Sequence, residues 1–337
     1  MRKVLLFCAL LIAFGGRAQN IDAIVDAAEA EMEKGNDAQA IEMLDKAIEK
    51  NPSAFELYHA KGRAHVGLKQ YQKALDSYGE ALRLNPTSAE VYNNRGMMLN
   101  AVGYPDEALA DAENALKYAS ADRIKLSALN VRADAKRLKN DLDGAIKDYE
   151  TILASNPTYH IELSASINVA RAYGAQQKNK EAIARLETLT TRYPDASVGY
   201  TNLAFRYAEI GNYEKAIALN DKIIAMELKP TADRYGQAEL LPNKRVESNS
   251  NTTVALAYNN KGYAQYKAGK LKDAITSINQ SMALYPENPY AYRNRALVYL
   301  AQHNNAAACL DIAKSLELGF TDAYGDEVQK LKEANCK

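Results

Sequence analysis

The sequence predicts an all-α protein, a solenoid of about eight helix–turn–helix repeats. The first observation is an alanine followed by an apolar residue that recurs at intervals of 34, 34, 37, 37, 34, 58 and 34 residues. A period of 34 residues accommodates two helices of ordinary length and their turns. The second observation is a glycine or alanine twelve positions before each of these alanines. The recurring alanines are Ala40, Ala74, Ala108, Ala145, Ala182, Ala216, Ala274 and Ala308.

We number each repeat so that this alanine is position 20. The repeats then start at Ile21, Phe55, Ala89, Leu126, Leu163, Ser197, Ala255 and Pro289. Position 8 is always small: Ala28, Gly62, Gly96, Ala133, Ala170, Ala204, Gly262 and Ala296. Position 32 is proline in five repeats, at Pro52, Pro86, Pro157, Pro194 and Pro286. Positions 15 and 16 favour turn residues, as in Gly35-Asn36 and Gly211-Asn212.

These positions have one physical interpretation. Small side chains at position 8 of the first helix and position 20 of the second let the two helices approach closely. Positions 4, 7, 8 and 11 form one stripe at helical spacing, often with tyrosine at 4 or 11, so the stripe predicts a buried face. Proline at position 32 disfavours helix in the residue before it and ends the second helix. Each helix pair is expected to bury its apolar face against the next pair.

The pattern resembles the tetratricopeptide repeat (TPR). Residues 89–116 and 255–286 match its small–Tyr–Ala–Pro framework closely, and the resemblance covers residues 21–322. Repeats 1 and 4 depart from it, with Glu31 and Lys136 at position 11. The resemblance implies an α-solenoid that coils as a right-handed superhelix. It also implies a concave groove lined by positions 2, 5, 6, 9, 12 and 13 of the first helices, with another protein or a peptide as the partner.

The groove positions carry asparagine, arginine and tyrosine. An asparagine side chain both donates and accepts hydrogen bonds, so a row at position 6 could hold a peptide backbone. The alternative is that these asparagines bond within the helix pair. Tyr and Arg are enriched at interfaces. The candidate partner-binding residues are Asn94, Asn168, Asn202, Asn260, Asn294, Arg63, Arg171, Tyr263, Tyr266, Tyr290 and Arg293, beside His59.

Some relatives in the family grip a chaperone's C-terminal carboxylate with a Lys-Asn-Asn-Lys-Arg set. The corresponding positions of repeats 2–4 are His59, Arg63, Asn94, Ser127 and Val131. Only Asn94 matches that set. The resemblance therefore does not extend to this carboxylate-binding function.

The N-terminal segment predicts export. Met1-Arg2-Lys3 precedes an apolar run from Val4 to Phe14, and the small residues Gly16 and Ala18 fit cleavage after Ala18. A buried N-terminal helix is the alternative, and Phe7 before Cys8 argues against lipid attachment. The mature chain would carry 39 basic against 42 acidic side chains, a net charge of −3. That balance does not favour nucleic acid, and no other segment is apolar enough to anchor the mature chain in a membrane.

A segment after repeat 6 interrupts the periodicity. Residues 229–252 contain Pro230 and Pro242, followed by a polar Ser/Asn run. We predict a loop over 229–254 with one short helical turn near residues 238–241. It is either a tolerated surface insertion, a flap over the groove or a hinge between repeats 1–6 and repeats 7–8.

Residues 323–337 predict a capping helix that covers repeat 8 with Val328 and Leu331. Export would leave two cysteines, Cys309 and Cys336, in an oxidising compartment. Cys309 lies near the start of one predicted helix and Cys336 near the end of the next. Because adjacent helices run antiparallel, the two sulfur atoms should be neighbours. We predict a disulfide that holds the cap, the alternative being two buried free thiols.

No catalytic, cofactor or metal motif is found. The four histidines, His59, His65, His160 and His303, form no metal-ligand spacing, and the carboxylates have the spacing of solvated helix faces. We expect a non-catalytic protein-binding scaffold of a cell envelope, without cofactor or metal. The alternative is a subunit or assembly factor that engages a larger complex through the convex face or the insertion. An enzyme is the least favoured alternative.

Overall fold

The structure is a computed structural model that describes residues 21–228, 244–321 and 325–336. The predicted signal segment and residues 229–243 of the insertion lie outside the described residues. Throughout the described ranges the regular elements are helices, as predicted. They are α1 (21–33), α2 (Asp37–Lys50), α3 (Phe55–Gly67), α4 (Tyr71–Leu84), α5 (Ala89–Val102), α6 (Pro105–Tyr118), α7 (Asp122–Leu138), α8 (Leu142–Ala154), α9 (Tyr159–Ala175), α10 (Asn179–Arg192), α11 (Ser197–Glu209), α12 (Tyr213–Glu227), α13 (Lys244–Lys267), α14 (Leu271–Leu284), α15 (Pro289–Ala301), α16 (Asn305–Glu317) and α17 (Glu327–Asn335).

Small residues allow close contact inside the hairpins, as the repeat pattern predicts. A Cβ added at Gly262 would lie 3.1 Å from the backbone oxygen of Ala274, which is position 20 of the same repeat. The corresponding distance from Gly96 to the backbone oxygen of Ala108 is 3.4 Å. The alanines at position 20 are all fully buried or nearly so. Larger side chains at these positions would force the paired helices apart.

Position 15 of every repeat has a positive φ, which ends the first helix and turns the chain into the second. In four repeats this residue is glycine, which adopts the left-handed conformation without the cost imposed by a Cβ: Gly35 (φ 81°), Gly103 (86°), Gly211 (78°) and Gly269 (77°). The other four repeats use Lys69 (58°), Asn140 (64°), Gln177 (60°) and His303 (59°). The predicted turn is confirmed, and His303 belongs to it.

Tyrosine at position 4 contributes a polar contact beyond its packing. The Tyr58 hydroxyl donates to the Pro52 carbonyl at 3.2 Å, and the Tyr92 hydroxyl donates to the Pro86 carbonyl at 3.3 Å. Each bond joins the first helix of one repeat to the end of the preceding repeat. The prolines thus end a helix and leave a carbonyl free for this bond.

Contacts divide the chain into two compact units, with the boundary after Ala172 inside α9. In the N-terminal unit, one hydrophobic cluster includes Leu44 and Leu57 and another includes Tyr78 and Val91. In the C-terminal unit, clusters form around Ile223, Ile278 and Ile312. Among the helices that the structure describes, none is long and apolar enough to cross a lipid bilayer.

The prediction of a loop as far as residue 254 is wrong over its last part. Helix α13 begins at Lys244, so the polar Ser/Asn run is helical. Val254 is fully buried in a cluster with Tyr200 and Ile223. Once Val254 and Ala257 pack there, extending the helix toward its N-terminus forms one backbone hydrogen bond for each residue added. The modest helix propensity of Ser and Asn is overridden by that packing.

The interpretation of all acidic residues as solvated faces is wrong for three aspartates at position 23. Arginine at position 7 of the same repeat makes two hydrogen bonds to each of them, with distances of 2.7–2.9 Å. The aspartate of each pair is buried and the arginine is partly exposed; the pairs are Arg95–Asp111, Arg132–Asp148 and Arg295–Asp311. Repeats 2 and 7 have Lys61 and Lys261 at position 7 and serine at position 23, and these lysines instead pair with Asp45 and Asp221 of the preceding repeat.

The unusual Lys136 of repeat 4 belongs to one of these pairs. Its Nζ donates to Asp148 Oδ2 at 2.8 Å, so this carboxylate is held by two cations. Burial raises the pKa of Asp148, but the hydrogen bonds from Arg132 and Lys136 outweigh burial and leave the pKa below its usual value. Glu31 of repeat 1 is likewise satisfied locally, by Lys34 Nζ at 2.7 Å and Asn36 Nδ2 at 2.8 Å.

Asp148→Asn should lower the free energy of unfolding at pH 7 by roughly 1–3 kcal/mol, since hydrogen bonds to a charged group are lost. A carboxyl whose folded pKa is depressed stabilises the fold above its unfolded pKa of about 3.9, and this contribution is lost as the pH falls through the folded value. The difference in melting temperature between wild type and Asp148→Asn should therefore shrink below pH 4. Asp76→Asn, at an exposed site on α4, is the matched control. A difference that stays constant down to pH 2 would contradict this prediction.

The predicted capping helix is confirmed as α17. Val328 is fully buried in a cluster with Ala296, Ile312 and Phe320, and Leu331 packs against the same cluster. The structure pairs Cys309 and Cys336, with their Cα atoms 5.6 Å apart. The bond joins the start of α16 to the end of α17. Formation of this disulfide in the cell stays a prediction.

Candidate protein-binding groove

In the N-terminal unit, the asparagine at position 6 of repeat 3 connects neighbouring repeats. Asn94 Nδ2 lies 2.8 Å from His59 Nε2, a residue at position 5 of the preceding repeat. Burial, aided by the positive charge of Arg63, lowers the pKa of His59. Because the amide nitrogen of Asn94 can only donate, His59 Nε2 accepts this bond, which requires the neutral ring with its hydrogen on Nδ1. The side chain of Asn94 is thus engaged within the protein.

Asn168 has a similar role in repeat 5. Its Nδ2 donates to Asp134 Oδ1 at 3.2 Å, and the same oxygen accepts a 2.5 Å hydrogen bond from the Tyr149 hydroxyl. Burial raises the pKa of Asp134, opposed by the bond from Tyr149 and by the nearby positive charge of Arg137. Burial and the Asp134 carboxylate together raise the pKa of Tyr149. This polar cluster holds repeats 4 and 5 together.

Three further candidates are also engaged by other groups of the protein. Asn202 donates to the Val198 carbonyl of its own helix at 2.9 Å. Arg63 forms an ion pair with Glu29 at 2.5 Å, and Arg171 donates to Asn168 Oδ1 at 3.3 Å. These arginines are exposed, so their contacts are weak ties at the surface.

The C-terminal unit contains a groove that gathers the remaining candidates. It has a volume of about 670 Å³ and is lined mainly by α11, α13 and α15, the first helices of repeats 6, 7 and 8. We call it the C-terminal groove. Its lining includes Ala204, Phe205, Ala208, Glu209, Leu256, Asn259, Asn260, Tyr263, Lys267, Tyr290, Arg293, Asn294 and Glu327.

Two apolar residues of the C-terminal groove were missed by the sequence analysis. Phe205 is 56% exposed and Leu256 is 41% exposed, although both are large and hydrophobic. They occupy positions 9 and 2, which the resemblance assigns to the groove. The repeat numbering could therefore have identified them, but only polar and tyrosine side chains at these positions were considered.

The predicted groove residues of repeats 7 and 8 differ in accessibility. Asn260 is exposed and lines the C-terminal groove. Asn294 is buried and donates to Asn259 Oδ1 at 3.0 Å, the same link between positions 6 and 5 as in repeats 2 and 3. Tyr266 packs against the hydrophobic cluster around Ile278 and is absent from the groove lining. Its spacing on the helix directs it toward α14, so its role here is packing.

Arg293 occupies the centre of the polar contacts in the C-terminal groove. Its Cζ lies 5.3 Å from the centroid of the Tyr263 ring, and its Nη1 donates to Asn294 Oδ1 at 2.6 Å. Its Nη2 donates to Glu327 Oε1, a contact supplied by the capping helix. Tyr290 borders the groove beside Phe320, with the two rings at 71° and 5.2 Å between centroids. The capping helix therefore contributes to the groove as well as to the core.

The fold and the groove define a class of protein: a helical repeat protein whose first helices line a groove. Comparison of the sequence with family models agrees. Models described as the tetratricopeptide repeat match residues 22–54, 169–233 and 259–319, and a model described as the TPR repeat matches residues 62–100. Together they cover more than half of the chain, which belongs to the tetratricopeptide-repeat family.

Two curated relatives match most of this chain, and a third matches a shorter part of it. This chain is 25% identical to a TPR repeat-containing protein of Methanocaldococcus jannaschii, in an alignment that covers 89% of this chain and 56% of that protein. It is 23% identical to a BBSome complex member BBS4 homolog of Drosophila melanogaster, covering 85% and 55%. A DnaJ homolog of Schizosaccharomyces pombe is 28% identical over 40% of this chain and 31% of its own length. The chain thus spans between just under a third and just over half of the length of these relatives.

Solved structures agree on the fold. Yeast Tom70 matches with a TM-score of 0.65 at 16% identity, over 89% of this chain and 58% of Tom70. A tetratricopeptide repeat protein from Parabacteroides merdae matches with a TM-score of 0.60 at 19% identity, over 83% of this chain and 98% of that one. At these identities the similarity shows the helical repeat fold.

Proposed function

We propose that this chain is a non-catalytic scaffold that binds a segment of another protein in the C-terminal groove. The observation that carries the proposal is the pair of exposed apolar side chains, Phe205 and Leu256, inside a cavity of about 670 Å³. Binding sites combine apolar walls with a few polar groups that orient the ligand. Asn260 and Lys267 supply such groups. Burying Phe205 and Leu256 against a partner would provide the hydrophobic gain.

An extended segment suits the groove better than a compact ligand. The lining comes from three successive first helices, so the apolar and polar groups are spread along the repeat direction. The exposed Asn260 amide both donates and accepts, as a partner's backbone requires. Of the five asparagines first considered, Asn260 best fits the proposed role, because Asn94, Asn168 and Asn294 bond to side chains of the preceding repeat.

Phe205→Ala should reduce partner recovery at least tenfold without destabilising the chain, because its side chain is largely exposed. The measurement is affinity capture from the native source with the mature protein as bait, with quantitative mass spectrometry of co-purifying proteins. Melting temperature checks the fold. Unchanged recovery with Phe205→Ala and Asn260→Ala would refute the groove proposal.

The second candidate function is that of a subunit or assembly factor that uses the second-helix face. Leu310 on α16, which is 75% exposed, is the observation that favours it. Leu310→Ala serves as the control in the capture experiment, since it too removes an exposed apolar side chain. Loss of partners with Leu310→Ala and retention with Phe205→Ala would establish the second candidate.

We further propose that the chain works in a cell envelope. The basic, apolar and small-residue order of residues 1–18 supports export, as does the pairing of Cys309 with Cys336. Intact mass of protein from fractionated cells tests this location. A mature chain that starts at Gln19 and lacks free thiols is expected, and a full-length cytosolic chain with Cys309 and Cys336 both free would refute it.

A further inference from the structure

We infer that Arg293 is the anchoring site for a carboxylate of the bound segment, and that Glu327 of the capping helix occupies this site in the free chain. The inference rests on the proposed function of the C-terminal groove and adds the chemistry of the partner. The partner is an extended segment of another protein that carries an acidic group close to an aromatic side chain.

The guanidinium of Arg293 is positioned by contacts that leave one edge for a carboxylate. The Tyr263 ring lies 5.3 Å from Cζ, and Asn294 Oδ1 accepts from Nη1 at 2.6 Å. Asn294 is itself buried and fixed by Asn259 at 3.0 Å. The side chain of Arg293 is only 14% exposed, so its rotamer freedom is already reduced before a partner arrives. A preorganised arginine loses less entropy when it binds a carboxylate.

Glu327 uses this site incompletely. It contacts Nη2 through one oxygen, while Arg293 Nε is buried and lacks a hydrogen-bond partner among the described residues. Nε and Nη2 form the edge of a guanidinium that accepts a carboxylate with two parallel hydrogen bonds. A carboxylate on an extended segment, unconstrained by the backbone of α17, could accept both. It would therefore satisfy a donor that Glu327 leaves unpaired.

Glu327 can leave without detaching the capping helix. Its side chain is half exposed, and it lies in the first turn of α17. The helix is held independently by buried Val328 and by the pairing of Cys309 with Cys336. A change of the Glu327 rotamer would thus expose Arg293 with the rest of the cap unchanged. The ion pair acts as an internal competitor for the partner's acidic group.

The aromatic residues around Arg293 favour an aromatic side chain next to the acidic group of the partner. Phe205, Tyr263 and Tyr290 line the same groove and offer aromatic surfaces to one side chain of the partner. Aromatic pairs gain energy beyond the burial of area. Lys267 adds a second cation, whereas the lining acid Glu209 is paired with Arg206, so the charge of Lys267 favours an acidic segment.

The test uses labelled peptides and the full, disulfide-bonded chain. Three acetylated and amidated peptides contain Phe and Glu separated by zero, one or two serines, and matched peptides carry Gln in place of Glu. A fourth ends in Phe with a free carboxylate, which distinguishes a chain terminus from an acidic side chain as the source of the carboxylate. Fluorescence anisotropy gives the dissociation constants, and melting temperatures report the stability of each variant.

Glu327→Gln should tighten binding of at least one carboxylate peptide about fivefold, the change expected when an exposed ion pair no longer competes. The affinity of its Gln or amide counterpart should change less than twofold. Arg293→Gln should reduce the affinity for the carboxylate peptide to the affinity measured for that counterpart. Glu333→Gln, at an exposed site on the same helix, is the matched control and should change neither affinity.

Two results would overturn the inference. If Glu327→Gln lowers the melting temperature but leaves every affinity unchanged, the ion pair is only a structural tie of the cap. If the peptides bind equally with and without a carboxylate, or none binds to wild type or to Glu327→Gln, Arg293 is not a carboxylate anchor. The groove proposal would then still be judged by the capture experiment with Phe205→Ala.

Discussion

Replacing Ile278 by alanine should lower the free energy of unfolding of the C-terminal unit by about 2–5 kcal/mol, the usual cost of a large-to-small change in a core. Ile278 is fully buried on α14 and belongs to the cluster with Ala274, Ala291 and Val298. Repeat proteins gain stability from each repeat and from its interfaces with neighbours, so the loss should be local. Hydrogen exchange of peptides from α13 and α14 should show it most strongly. Unchanged exchange there would contradict the prediction.

The same site permits a sharper test with Gly262. A Cβ at Gly262 would lie 2.5 Å from Ile278 Cγ1, so Gly262→Ala should cost roughly 1–3 kcal/mol through overpacking. In the Ile278→Ala background the clash with Ile278 is removed and only the 3.1 Å approach to the Ala274 backbone oxygen remains. The higher helix propensity of alanine, worth about 1 kcal/mol, offsets that remaining contact, so the same change should cost much less.

Gly79→Ala is the matched control for this test. A Cβ added at Gly79, inside α4, meets nothing within 4 Å, so this change should stabilise the chain in any background. The decisive observation is a smaller cost of Gly262→Ala in the Ile278→Ala background than in wild type. Additive effects of Gly262→Ala and Ile278→Ala would show that the two residues do not contact each other as described.

Replacing Cys309 and Cys336 together by serine should lower the free energy of unfolding by about 3.5 kcal/mol, the value that the chain-entropy model gives for a disulfide. The predicted bond would close a loop between residues separated by 27 positions and would fix the end of the capping helix. Faster hydrogen exchange in α17 and α16 and a lower melting temperature are expected. Cys336 packs beside the cluster around Val328, so α17 should keep its position but open more often.

Reduction of the wild type with a dithiol controls for the effect of the serine side chains. Reduced wild type and the double-serine variant should melt alike, both below the oxidised wild type. Thiol labelling of non-reduced, exported protein decides whether the bond forms. Two reactive thiols per native chain would contradict the disulfide and remove the stability difference.

The repeat numbering predicted most of the fold because its signals are local or periodic. Position 15 turns the chain in every repeat, whether it is Gly35 or Gln177, since one left-handed residue is enough to end a helix. The start of α13 was not predictable in this way. Its first residues are polar and have low helix propensity. The helix nevertheless begins at Lys244, ahead of the buried residue Val254.

The groove shows a similar division. Arg293, Tyr263 and Asn260 were predicted from their repeat positions and do line the C-terminal groove. Asn94 and Asn168 were predicted for the same reason, yet they bond to His59 and Asp134. A residue type at a groove position does not reveal whether a neighbouring repeat already uses its hydrogen bonds, because that neighbour lies about 34 residues away in the sequence.

By itself, the sequence determined the helical hairpins of this protein. Small residues at positions 8 and 20, a turn at 15 and prolines at 32 act within one repeat, where sequence distance and spatial distance are both short. Only the tertiary structure decided which polar groups are satisfied inside the protein. Asp111 is buried against Arg95, Asn294 links two repeats, and Glu327 pairs with Arg293, which lies 34 residues away in the sequence. These outcomes depend on which side chains packing brings together and removes from water, a property of the assembled repeats.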